Sequence, residues 1–112
     1  MSKILALCLM VAACTQACAA GVLAGKVITV RVDEDGRGVV TFDAAATGTP
    51  PACVTASYRA SLAFNLADPG GKGVLAMALA AKALGTPVVA YGTGNCNTYS
   101  AVMEDWSYGV AN

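Results

Sequence analysis

The sequence predicts a mainly β domain with one helix, in the order β-β-β-α-β-β, which is that of an OB-fold, a five-stranded Greek-key barrel. Three observations carry this reading. Three strand-like runs precede a single helix-like run and two follow it; clusters of Gly, Pro, Asp and Asn separate them; and one cysteine stands on each side of the helix, Cys53 and Cys96.

Residues 1–20 are set aside first, because they read as an export signal: Lys3, an apolar stretch from Ile4 to Ala13, then small residues around Ala17, Ala19 and Ala20. The apolar stretch is far shorter than the ~20 residues that span a bilayer. Cleavage is expected after Ala20, with Ala19 as the neighbouring choice. Val11-Ala12-Ala13-Cys14 offers an alternative, a lipobox that would leave a lipoprotein anchored at Cys14. Removing 20 of the 112 residues leaves one domain, 21–112, of 92 residues, a size that commonly needs a staple or a partner subunit. Cys8, Cys14 and Cys18 leave with the signal, so Cys53 and Cys96 remain as an even pair in an exported chain. A disulfide between them is expected.

Lys26 to Val32 alternates with period two and reads as a half-buried strand, with Val27, Thr29 and Arg31 on one face and Ile28, Val30 and Val32 on the other. Asp33-Glu34-Asp35-Gly36-Arg37-Gly38 is turn chemistry leading into Val39 to Phe42, hence an antiparallel hairpin with a solvated acidic tip. The tip lacks the ligand spacing that calcium needs. Thr47 to Cys53 is expected to be a loop, since Pro50 and Pro51 remove backbone donors. A third strand is expected over Ser57 to Leu66, with Tyr58, Ala60, Leu62 and Phe64 on one face.

Asp68 then suits a helix N-cap and Pro69 the first helical position, while Gly85 and Pro87 mark the end after Leu84. Val74, Met77, Ala78, Ala81 and Leu84 form the core stripe of this helix. Its other face holds Ala76, Ala80 and Ala83, with charge only at Lys72 and Lys82. Either a homo-oligomer forms through Gly73 to Leu84 or the alanine face is simply exposed. Pro87 to Thr93 reads as the fourth strand, Gly94 to Ser100 as a polar loop and Val102 to Val110 as the fifth strand.

Six basic against seven acidic residues give the mature chain a scattered charge of −1, which excludes the basic face that nucleic-acid binding requires. The chain has no histidine, so the usual general base and the commonest metal ligand are missing. Glu104 and Asp105 are neighbours in a strand and face opposite sides, which is useless for joint acid–base work. Pro69-Gly70-Gly71-Lys72-Gly73 lacks the spacing of a phosphate loop and is explained by helix capping. No enzyme, cofactor or metal is expected.

A binding surface remains. Asn95, Asn97 and Tyr99 in the loop after the fourth strand, Trp106 on the last strand, and Tyr58 with Arg59 on the third are the residue types that stack on sugar rings and bond hydroxyls. Tyr58 and Trp106 are equally the residues that fill a small barrel, and the two asparagines are common turn residues.

The runs Pro50-Pro51-Ala52-Cys53, Leu62 to Lys72, Ala80-Ala81-Lys82-Ala83-Leu84-Gly85 and Tyr91 to Cys96 resemble a group of small exported bacterial proteins. At fold level that group is similar to the OB-fold B subunits of AB5 toxins, the subtilase cytotoxin B-like proteins among them. These motifs are structural, and no sugar-binding residue of the toxins carries over to a position here. The resemblance implies a non-enzymatic exported module, periplasmic or secreted, binding a glycan. The alternative is a structural or protein-interaction factor of the periplasm or cell surface.

Overall fold

A computed structural model describes residues 20–111; all but the last residue of the expected export signal, Cys14 included, lies outside them. The described chain is mainly β with one helix: β1 (Gly21–Val32), β2 (Arg37–Phe42), β3 (Thr47–Gly48), β4 (Ser61–Asn65), α1 (Gly71–Leu84), β5 (Pro87–Gly92) and β6 (Trp106–Ala111). The strands form one antiparallel sheet in the order β4-β2-β1-β5-β6, with β3 paired to the start of β1. The sheet is open. Between β4 and the residue before β6 there is an isolated parallel bridge, Ala63 to Asp105, where a closed barrel would carry a ladder.

The long β1 joins the two halves of the sheet. Val22 to Lys26 pair with β5, and Val27 to Val32 with β2. A bulge between Val27 and Thr29 lets the strand bend from one ladder to the other. It also overturns the simple alternation expected of this strand: Val27 is buried and Val30 packs on the same core, while Ile28 is 53% exposed. The β1–β2 hairpin is as expected, closed by Asp33 N–H to Arg37 O at 2.7 Å and Gly36 N–H to Asp33 O at 3.0 Å. Gly36 has φ +89°, a conformation in which a side chain is strained.

Several element boundaries differ from the sequence reading, the first being that of β1, which begins at Gly21 rather than Lys26. Thr47–Gly48 is a short strand, not loop, because the two prolines come after it and its pairing with Val22 and Gly21 needs neither of their nitrogens. The third long strand begins at Ser61 rather than Ser57; Ala56–Tyr58 is a 3-10 turn, so Tyr58 and Arg59 lie ahead of the sheet and not on it. The last strand begins at Trp106 rather than Val102, because Glu104 and Asp105 are committed to holding the preceding loop.

The helix begins at Gly71 with Gly70 at the cap, and no side chain caps it. Asp68 and Pro69 instead form the turn that leads in, with Gly71 N–H donating to Asp68 O at 3.0 Å. Gly71 is required because a Cβ there would collide with the Asn65 carbonyl. At the other end Gly85 adopts φ 67° and its N–H bonds Ala81 O, as the sequence predicts. The core stripe is corrected at one position: Leu84 is 75% exposed, and Leu75 packs on the core in its place. Ala76, Ala80 and Ala83 are exposed in the single chain. No helix among the described residues is long and apolar enough to cross a membrane.

Leu23, Val27, Val40, Phe42, Leu62, Phe64, Val88 and Trp106, closed by Ala78 and Ala81 of the helix, make the main core. A second, smaller cluster of Val39, Ala63 and Met103 lies on the opposite side of β2 and β4, under Tyr58, Tyr99 and Val102. The loop after β5 therefore covers one face of the sheet. The Cys53–Cys96 disulfide ties this loop to the segment before β4, with a Cα–Cα distance of 6.2 Å.

Candidate functional site

The loop between β5 and β6 is braced by two carboxylates. Glu104 is buried, and its carboxylate accepts from Gly94 N–H at 2.7 Å and from Gly21 N–H at 3.1 and 3.2 Å. Burial pushes its pKa up, the N–H groups of Gly94 and Gly21 pull it down, and Asp105 adds to the rise. Asp105 points the other way and accepts from the backbones of Asn97 at 3.0 Å and Thr98 at 2.9 Å. The two neighbours do face opposite sides, as expected, but from a loop, and both spend their oxygens on backbone donors that the loop leaves unpaired.

That brace presents Tyr99 to the β1–β2 hairpin. The Tyr99 hydroxyl donates to Asp33, and its ring lies under two guanidinium groups, Arg37 at 4.6 Å and Arg31 at 5.6 Å from the ring centre. Arg37 also donates to Thr98 O at 3.3 Å, and Arg31 pairs with Asp33 at 3.0 Å. The acidic tip is thus partly a docking point for the far loop. Asp35, in the turn itself, pairs instead with Arg37, 2.6 Å from its Nε. The Tyr99 hydroxyl, and then Arg31, hold Asp33 below the usual carboxylate range, while burial, and then Asp33, push the Tyr99 phenol up.

Tyr99→Phe is therefore expected to leave the ring in place and let the Asp33 pKa rise toward that of an ordinary carboxylate, read by NMR titration of the carboxyl carbon. A depressed carboxylate contributes stability above its unfolded pKa and loses it as pH falls through the folded value. The deficit of the variant relative to wild type should thus be present at neutral pH and vanish once acid protonates Asp33 in both proteins. An unchanged Asp33 titration would contradict the arrangement.

The six residues that sequence reasoning placed on a binding surface fall into four places. Asn97 and Trp106 share a cleft of about 700 Å³ between β4, the first turns of α1, and β6, which opens where the sheet fails to close. Trp106 is the floor of that cleft and part of the core, stacked at 6.1 Å on Phe42. Tyr99 and Tyr58 pack on the second cluster. Arg59 lines a separate pocket of about 340 Å³ with Pro50, Pro51 and Val54. Asn95 is exposed; its backbone, not its amide, is engaged, taking Asp105 N–H at 2.9 Å.

The cleft includes residues that the sequence did not single out, Phe64, Asn65 and Ala63 of β4 and Ser107 and Tyr108 of β6, together with Gly70 and Gly73 at the start of α1, which the sequence reading assigned to helix capping alone. Phe64 lies flat against the backbone of Gly38, where a Cβ would collide with its ring. The glycines around the helix start were the available signal, since a helix opening on Gly70-Gly71-Lys72-Gly73 presents backbone rather than side chains. Among the described residues no group of three or more His, Cys, Asp or Glu is placed to hold a metal ion.

Compared with protein-family models, curated proteins and solved structures, the chain matches none of them.

Proposed function

We propose that the protein is an exported, non-enzymatic binding module of OB type, and that it takes a short glycan in the cleft between β4, α1 and β6. The lining of the cleft carries the reading. Phe64 and Trp106 offer apolar ring surface, while Asn65, Asn97, Thr98 and Ser107 offer neutral amides and hydroxyls around it. A sugar presents the complement, one apolar ring face and a rim of hydroxyls. The OB assignment is supported by the β1–β2–β4 antiparallel run, the helix before β5, and the Ala63 N–H to Glu104 O bond of 2.9 Å beside the open edge. Export is supported by the N-terminal sequence and by the Cys53–Cys96 disulfide.

A broad glycan array probed with the disulfide-intact protein tests this reading. The Asn97 side chain is exposed and makes no hydrogen bond among the described residues, only its backbone being held by Asp105. Asn97→Ala is thus expected to weaken binding about tenfold, or ~1.4 kcal/mol, with stability unchanged within ~0.5 kcal/mol. Failure of wild type to retain any glycan sinks it. The protein-interaction reading then takes over, and one observation favours it: Val22, Val89, Tyr91, Tyr108 and Val110 form an uncharged outer face on β1, β5 and β6. There Tyr91 and Tyr108 stack at 4.5 Å, and Tyr108 stays 56% exposed.

A further inference from the structure

Glu104 is a buried carboxylate whose partners among the described residues are all backbone nitrogens. Its two oxygens straddle the nitrogen of Gly21, at 3.1 and 3.2 Å. As an amide that nitrogen has one proton to share between two oxygens. An α-ammonium has three, and a positive charge. The same pocket is shaped around the absence of side chains: a Cβ on Gly21 would lie 2.7 Å from Glu104 Oε1, and a Cβ on Gly92 would collide with the carboxylate from the other side. Gly21 is also the first residue after the expected cleavage site.

We propose that the protein is processed at the Ala20–Gly21 bond and that the new α-ammonium group of Gly21 forms a buried ion pair with Glu104. Hydrolysis by a signal peptidase adds one water across the peptide bond, leaving a carboxylate on Ala20 and, at neutral pH, an ammonium on Gly21. The cost among the described residues is one bond, Thr49 N–H to Ala20 O at 3.0 Å, at an exposed residue that water can satisfy. The gain is that a buried anion held by neutral donors acquires a counter-charge. The other charge acting on Glu104 is Asp105, an anion that sharpens the need for it. Through Glu104 and Gly94 the terminus is then tied to the loop that forms one wall of the cleft. This inference rests on the export signal and not on what the cleft binds, so glycan results leave it untouched.

N-terminal sequencing of the protein exported from bacteria carrying the full chain is the first readout, and it should begin Gly-Val-Leu-Ala-Gly. The second compares the chain starting at Gly21 with a free amine against the same chain acetylated there. An amine that gains a buried partner has its pKa raised above the ordinary ~8, so its stabilisation is present below that pH and is lost as pH rises through the folded value. The free-amine form should melt at least ~5 °C above the acetylated form near pH 7. The gap should close at high pH and be absent in the Glu104→Gln background. A first residue other than Gly21, or equal melting of the free and acetylated forms across pH, overturns the proposal. If Glu104→Gln does not fold, the free and acetylated pair still decides it.

Discussion

Replacing Cys53 and Cys96 together by serine is expected to cost about 4 kcal/mol, the chain-entropy value for a closed loop of this length. The bridge spans a sequence separation of 43 and encloses β4, α1 and β5. Two long irregular segments, 49–60 and 93–105, meet at it, and little else joins them: Thr55 N–H and Oγ both reach Val102 O, at 2.9 and 3.3 Å. A total stability of ~5–15 kcal/mol means that this one change removes a large share. Urea unfolding of the double-serine variant against wild type measures it. Native protein alkylated without reductant should take up no alkyl groups; uptake of two by fully folded material would contradict the bridge. Loss below ~1 kcal/mol would mean that the loops hold each other without it.

The consequence reaches the cleft, because the loop that the disulfide restrains carries Asn97, Thr98 and Asp105 along one wall. Asp105 holds the backbones of Asn97 and Thr98, and Tyr99 anchors the far end to the hairpin. A loop fixed at three points has little entropy left to lose when a ligand orders it.

Cysteine parity and turn chemistry made the bridge and the hairpin legible before any coordinates, and Gly85 with Pro87 did the same for the end of the helix. These are local signals, decided by one or two residues. The start of β4 was hidden because Tyr58, Ala60, Leu62 and Phe64 alternate without a break, although the chain turns through Ala56–Tyr58 before the ladder begins at Ser61. Alternation also assumes one wet face. Residues 61–64 are all buried, because the β5–β6 loop covers the side that solvent would occupy.

The same loop explains why the candidate site was only partly legible. Tyr99 and Trp106 looked like neighbours on one ligand surface, yet Tyr99 packs on the second cluster and bonds Asp33, 66 residues away, while Trp106 turns into the main core. No spacing rule carries that pairing. It depends on Glu104 and Asp105 being spent on backbone donors, which the sequence displays only as two adjacent acids. The cleft itself arises from a ladder that is missing between β4 and β6, and an absent ladder leaves no mark in the residues that line it.

Trp106→Ala is expected to be the most damaging single substitution away from the disulfide, at about 3–5 kcal/mol. Trp106 is buried, stacks on Phe42 at 6.1 Å with the planes 28° apart, and passes over Gly109, where a Cβ would collide with the indole. It joins β6 to the core formed by β1, β2, β4 and α1. Its loss removes the transfer free energy of the indole, leaves a cavity that the rigid sheet closes poorly, and ends an aromatic pair worth ~0.5–1.5 kcal/mol. As the only tryptophan in the chain, Trp106 is also the fluorescent reporter of the core, so the variant must be followed by circular dichroism. Trp106→Phe keeps a ring against Phe42 and should lose distinctly less. Because Trp106 also floors the cleft, this milder variant separates fold from function: a folded Trp106→Phe with weakened glycan retention supports the cleft as the binding site. A Trp106→Ala variant that unfolds within ~1 kcal/mol of wild type would show that β6 is held by its ladder with β5 alone.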